Sequence, residues 1–342
     1  MNAPRDPVPG RNDRRLPVSV LTGFLGSGKT TLLNRLLQHP GLADTAVIVN
    51  EFGEVGIDHL LVETALEDAV LLKSGCVCCS IRGDLVDTLL QLLSRRDHGE
   101  IPEFARVMVE TTGLADPAPV LQTMLTEPSV AERFRLGNVV TTVDAVNGLG
   151  QLASYGEPER QAVAADRLVV TKTDLAAAGQ IAELVAHLKR LNPLSPVFEI
   201  ANGEIDPELL IGEDGPAARR LDPGWAGDAE THSHHVHGAE GDVDSFCVVR
   251  EAPLEAEVLI RWLGSLMSLR GADLLRIKGI VNLAGRDRPL VIQGVQHLFH
   301  PPTALAAWPD DDRRTRIVFI TRNIPREGVE RALDAVTRHH AA

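Results

Sequence analysis

The chain has 342 residues, 44% of them hydrophobic, which is enough for more than one sizeable core and makes two domains the expectation. Its formal net charge of −13 argues against a nucleic-acid-binding surface, and no stretch is long and apolar enough to span a bilayer. Three of the four cysteines fall within Cys76–Cys79, which suits a thiolate site rather than a disulfide framework, and the Pro- and Arg-rich start, Met1 to Arg15, lacks an apolar signal core and reads as a disordered lead-in to a cytoplasmic protein.

Leu16–Leu21 reads as a buried strand. It runs into Gly23-Phe24-Leu25-Gly26-Ser27-Gly28-Lys29-Thr30, and Thr31–Gln38 then has helical spacing of leucines. Thr45–Val49 is a second apolar strand, ending in the polar, Gly-containing stretch Asn50–Asp58. Ala69–Leu72 leads into Gly75-Cys76-Val77-Cys78-Cys79, and Asp84–Leu93 has helical periodicity. Ala105–Val109 precedes Glu110-Thr111-Thr112-Gly113-Leu114-Ala115-Asp116-Pro117. Val139–Val143, Leu168–Val170 and Val197–Ile200 are further strands, with an amphipathic helix over Ile181–Leu191. Apolar strands alternating with helices predict an α/β domain, a doubly wound, mostly parallel sheet, over residues 16–222. Residues 223–242 are rich in Pro, Gly, Asp and Glu and hold His232, His234, His235 and His237, which reads as a flexible linker able to bind metal weakly. Beyond it, strands at Ser245–Val249, Leu274–Leu283, Leu290–Leu298 and Arg316–Ile320, with helices at Leu254–Leu269 and Glu327–Val336, predict a smaller α+β domain over residues 243–342.

Four stretches carry chemistry. Strand, glycine loop and helix make Gly23–Thr30 a phosphate-binding loop. Gly23, Gly26 and Gly28 let the backbone curl, and the N–H groups of the loop through Ser27 to Thr31 can point at phosphates beside a helix N-terminus. Lys29 would reach the β- and γ-phosphates, and the Thr30 hydroxyl would ligate Mg²⁺. Glu110, at a strand end, is the candidate acid for holding Mg²⁺, with Asp116 next in line, and Gly113 the candidate for turning its N–H toward the γ-phosphate. In Thr171-Lys172-Thr173-Asp174, the Asp174 carboxylate can accept from both N1–H and the amine of guanine, and the stem of Lys172 would cover the base. Most GTPases carry Asn where Thr171 stands; Thr keeps a hydroxyl and loses the amide. Cys76, Cys78 and Cys79 suit a soft cation, Zn²⁺ or Cu(I), or a cluster; three thiolates leave a fourth position open or filled from elsewhere, with Glu51 a candidate. Cys247 stands alone in an alternating strand and reads as core.

GFLGSGKTT, NEFGEVGID, GCVCC, ETTGLADP and TKTD occur in an order and approximate spacing that resemble the CobW-like GTPases, and Asp273–Gly279 looks like that family's second domain. The resemblance implies a GTPase with GTP and Mg²⁺ at the phosphate loop. It also implies that zinc or a related transition metal is held by Cys76, Cys78 and Cys79 and delivered to a client metalloprotein. Two alternatives within the family are a zinc buffer or sensor and an activator of cobalt or iron enzymes. A metabolic phosphate-loop enzyme with structural zinc is the rival class. The client, and whether the chain forms homo-oligomers, are left open.

Overall fold

A computed structural model describes residues 14–49, 71–73, 81–212, 233–238 and 241–341. The chain divides into two compact units, one centred on Arg15–Glu213 and the other on Asp244–Ala342.

The first unit alternates strand and helix. Its strands are β1 (Leu16–Gly23), β2 (Thr45–Val49), β3 (Leu71–Lys73), β4 (Arg106–Glu110), β5 (Phe134–Asp144), β6 (Arg167–Thr171) and β7 (Val197–Glu199). They pair in the order β3-β2-β4-β1-β5-β6-β7, and every pair is parallel. The helices are α1 (Lys29–Leu37), α2 (Ile81–Asp97), α3 (Ala118–Thr126), α4 (Pro128–Ala131), α5 (Gly148–Ser154), α6 (Gly156–Ala164), α7 (Ala178–Leu191) and α8 (Pro207–Ile211). Leu32, Leu33 and Leu36 of α1 pack with Leu21, Val47, Met108, Val140 and Val169 of the strands and with Leu210 and Ile211 of α8. The alternate strand residues Val20, Ile48, Val107, Val109 and Leu168 are equally buried, so the sheet is covered on both faces. This is the doubly wound arrangement that the run of apolar strands predicts.

Strand β5 extends well beyond the apolar run Val139–Val143. Its first half, Phe134-Arg135-Leu136-Gly137-Asn138, is not uniformly apolar, but Phe134 is fully buried and the stretch pairs with β1 from Leu16 through a register shift between Val18 and Val20. Pairing, not hydropathy, sets its length.

The second unit is a mainly antiparallel sheet: β8 (Ser233–Gly238), β9 (Gly241–Arg250), β10 (Leu274–Val281), β11 (Leu290–Val295), β12 (Leu298–Phe299), β13 (Thr303–Ala304) and β14 (Thr315–Arg322), in the order β12-β11-β10-β14-β9-β8 with β13 on β11. Helices α9 (Ala256–Arg270) and α10 (Arg326–Ala341) contribute Trp262, Leu263, Val329 and Leu333 to a core with Phe246, Ile277 and Phe319. The Trp262 indole lies against Phe319 with ring centroids 5.6 Å apart and donates to the Val329 carbonyl at 3.1 Å, so its polar edge is satisfied. Cys247 is buried in β9, and burial pushes its thiol up to about 11, consistent with an inert core residue.

Part of the expected linker is strand. His234, His235 and His237 lie in β8, at the edge of the second sheet, while residues 223–232 lie outside the described residues. Composition misleads here because an edge strand needs only one buried face. Val236 is 6% exposed, whereas its neighbour His235 faces solvent beside Asp242, 3.5 Å away. Deletion of residues 231–238 therefore removes a sheet strand and its buried valine, not an inert tether.

Candidate active site

The parallel strands deliver their carboxyl ends to one edge, where open α/β sheets bind ligands. Gly23 ends β1 with φ 144°, and Gly26 and Gly28 adopt φ 71° and 89°. A Cβ on Gly23 would sit 2.3 Å from Thr142 Oγ1 and 2.7 Å from Ser27 Oγ, so only glycine fits there. Lys29 is buried on the first turn of α1, and its ammonium donates to the carbonyls of Gly23 at 2.9 Å and Phe24 at 3.1 Å, curled within the loop. Ser27 is fully buried with its hydroxyl 2.7 Å from that of Thr142. Thr31 is exposed on the same turn of α1.

Thr30 Oγ1 donates to Glu110 Oε1 at 2.8 Å, across 80 residues of sequence. Glu110 ends β4 and is 4% exposed, so a hydroxyl and a buried carboxylate converge at the mouth of the loop. Two hard oxygen donors beside a phosphate loop fit Mg²⁺, and these two residues would hold it, supplying charge neutralisation at the phosphates. The stretch after β4 is tied to β1: Thr111 N–H donates to the Leu21 carbonyl at 2.9 Å and its hydroxyl to Thr22 Oγ1 at 2.8 Å. Gly113 then touches the phosphate loop, where an added Cβ would lie 2.7 Å from the Leu25 nitrogen. Asp116, the alternative acid, caps the Ala118 N–H at 2.9 Å and faces Arg160 of α6 at 3.4 Å, whereas Glu110 is the acid on Thr30.

At the end of β6 the Thr171 hydroxyl donates to the Ser27 carbonyl at 2.7 Å and also approaches the Val143 carbonyl at 3.3 Å. Thr171 thus ties the phosphate loop to the sheet, which one hydroxyl can do without the missing amide. Lys172 follows with φ 58° and donates to Asp144 Oδ2 at 2.7 Å. Asp174 is exposed in a short turn, Thr173–Leu175.

Asp144 is a site residue that motif reading misses. It ends β5, opposite Thr171 in the sheet, is 1% exposed, and also accepts from Val146 N–H and from the side chain of Asn147. Burial alone would raise its carboxyl. The hydrogen bonds from Lys172, Asn147 and Val146 outweigh burial and hold it below the ordinary 3.8. The pair's contribution is therefore full above that ordinary value and is lost as pH falls through the lower folded-state value. Asp144→Asn should weaken guanine-nucleotide binding by about 1 kcal/mol, roughly fivefold, by releasing Lys172. Fluorescent GDP titration checks this, and unchanged affinity would remove Asp144 from the site.

A model of the CobW/HypB/UreG nucleotide-binding domain matches residues 17–199, and one of the CobW C-terminal domain matches residues 243–337. The chain belongs to the CobW family. It is 34% identical over 317 residues to the zinc chaperone YjiA of Escherichia coli, covering 93% of this chain and 97% of that protein. It is 26% identical to zinc-regulated GTPase metalloprotein activator 1 of Dictyostelium discoideum, covering 92% and 78% of the two chains. The crystal structure of Zn(II)-bound YjiA GTPase from E. coli superposes with a TM-score of 0.71 at 32% identity, covering 94% of this chain and 99% of that one.

The soft-metal residues expected of this CobW-family chain, Glu51, Cys76, Cys78 and Cys79, lie outside the described residues. What is described is where the chain leaves the sheet toward them. Val49 pairs with both Lys73 and Glu110, and Glu110 pairs with Leu21. The last residues of β2 and β3 therefore stand in one row with Glu110 and with the strand that feeds the phosphate loop. Among the described residues no helix is long and apolar enough to cross a membrane.

Proposed function

We propose that this CobW-family chain is a GTP-hydrolysing metallochaperone that holds zinc, or a related transition metal, at Cys76, Cys78 and Cys79 and delivers it to a client metalloprotein in the cytoplasm. Glu51 is the candidate fourth ligand. In this reading Lys29 and the loop amides through Thr31 bind the phosphates, Thr30 and Glu110 hold Mg²⁺, Gly113 senses the γ-phosphate, and Lys172 and Asp174 select guanine.

The register across the sheet carries the proposal. Adjacent strands lie about 4.8 Å apart, so Lys73 at the end of β3 is two strands, ~10 Å, from Glu110, with Val49 between them. Cys76 follows Lys73 by three residues and Glu51 follows Val49 by two. A change of nucleotide state at the row reaches both chain exits without a long relay. GTP would hold Asn50–Asp58 and the segment after Glu110 through its γ-phosphate, and hydrolysis would release them. Unassisted turnover in such switches is slow, on the order of 10⁻⁴–10⁻² per second, which suits a hand-over triggered by client docking.

If one two-state element serves both ligands, GTP and zinc must change each other's affinity by the same factor. Zinc competition with a chromogenic chelator, in GDP and in a non-hydrolysable GTP analogue, should differ by about 1–3 kcal/mol, several-fold or more. The Cys76→Ser, Cys78→Ser, Cys79→Ser variant is the control. Equal zinc affinity in both states would leave a GTPase that carries zinc without switching it. Client capture that ignores the nucleotide would point to buffering or sensing instead.

A further inference from the structure

Helix α6 and the residue before it touch both nucleotide loops, and no sequence motif marks them. Tyr155 stacks on Phe24 of the phosphate loop with ring centroids 5.1 Å apart. Arg160 faces Asp116, in the loop after Glu110. Between these contacts Gln161 is fully buried, and its Nε2 donates to the carbonyl of Gly113 at 3.1 Å and to that of Ala115 at 3.0 Å. Two carbonyl partners fix which end of the carboxamide faces the loop, since only the amide nitrogen can donate. The helix is itself anchored from behind, where the Thr141 hydroxyl donates to the Gln161 carbonyl at 2.8 Å.

We propose that Gln161 is a positioning residue for GTP hydrolysis: its carboxamide latches the Gly113–Ala115 loop into the conformation that presents the Gly113 N–H to the γ-phosphate. This rests on the GTPase reading given above. Three observations carry it. Gly113 and Ala115 lie outside regular secondary structure, so their carbonyls need donors from elsewhere. Gln161 supplies both with one rigid group. Its buried Oε1 accepts from none of the described residues, so the carboxamide is held by its two donor contacts to this loop. An amide whose two bonds both go to one short loop is a good latch, because they form and break together. Gly113 also packs on the Leu25 backbone, so the latched loop can occupy little other space while the phosphate loop keeps its shape.

The test is Gln161→Met, which keeps an unbranched side chain of similar volume and loses both donors. Nucleotide affinity is measured for GDP and for a non-hydrolysable GTP analogue, alongside steady-state GTP turnover. The latch predicts kcat down 10-fold or more, GDP affinity unchanged, and the analogue-to-GDP affinity ratio falling at least fivefold, with KM for GTP rising in step because turnover is slow relative to dissociation. A merely structural role would lower both affinities together and leave their ratio intact. Thr141→Val, which removes the hydroxyl on the far side of α6, should leave the ratio at its wild-type value. Wild-type kcat and ratio in Gln161→Met, or a fall in ratio of equal size in Thr141→Val, overturns the latch. A wild-type chain that does not hydrolyse GTP overturns the GTPase reading and the latch with it.

Discussion

Lys29→Ala is expected to abolish measurable GTP turnover, with kcat down by at least about 10²–10³-fold, the loss typical of removing one preorganised charge from a transition state. The ammonium sits on the first turn of α1, buried, within 3.1 Å of the Gly23 and Phe24 carbonyls, so it is already held inside the loop proposed to wrap the phosphates. A positive charge there costs no reorganisation when charge builds on the leaving phosphates. GTP affinity should fall as well, since the same charge meets the ground state. The fold should survive, because the leucines that seat α1 are untouched. Phosphate release over several hours is the measurement, with a thermal melt beside it. Turnover within tenfold of wild type would move the phosphate role elsewhere.

The second large effect concerns the base. Asp174 is exposed in its turn, so Asp174→Asn can be made without disturbing a core. Guanine offers two donors on one edge, and a carboxylate accepts both. Losing those charge-assisted bonds should weaken GTP binding by about 1.5–3 kcal/mol, more than tenfold. An amide donates where a carboxylate cannot, and xanthine presents a carbonyl where guanine has its amine. The variant should therefore prefer xanthosine triphosphate. The neighbouring Lys172, pinned by Asp144 at 2.7 Å, would still cover the base and limit the loss to the edge contacts. Equal wild-type affinity for ATP and GTP would sink the assignment.

The Dictyostelium relative carries zinc regulation, GTPase action and metalloprotein activation in its name, and the Escherichia coli relative is called a zinc chaperone. In this chain the nucleotide-binding family model ends at residue 199 and the C-terminal one starts at residue 243. Zinc titration across nucleotide states separates transport from simple retention, and the Gln161 variant separates γ-phosphate sensing from nucleotide binding in general.

The phosphate loop was legible because its chemistry is local. Glycines that take positive φ, a lysine and a threonine fall within eight residues, between an apolar run and a leucine-spaced helix. The parallel sheet was legible for a related reason: strands buried on both faces need continuous apolar runs, and hydropathy records that need stretch by stretch. The sequence by itself thus determined the loop, most of the strands and the family. Tertiary structure alone decided the partners. Asp144 meets Lys172 across 28 residues and Gln161 meets Gly113 across 48, and neither spacing has a period that a sequence could display. Helix α6 leaves no periodic signal in the sequence because Gly156, Pro158, Glu159, Gln161, Ala162, Val163 and Ala164 are all buried, which leaves no amphipathic alternation, and a glycine and a proline open it. Strand β8 carries no apolar run because one buried valine suffices at a sheet edge. Local steric and solvation preferences are written residue by residue. Which distant side chains meet depends on strand register, and register forms only when the whole sheet closes.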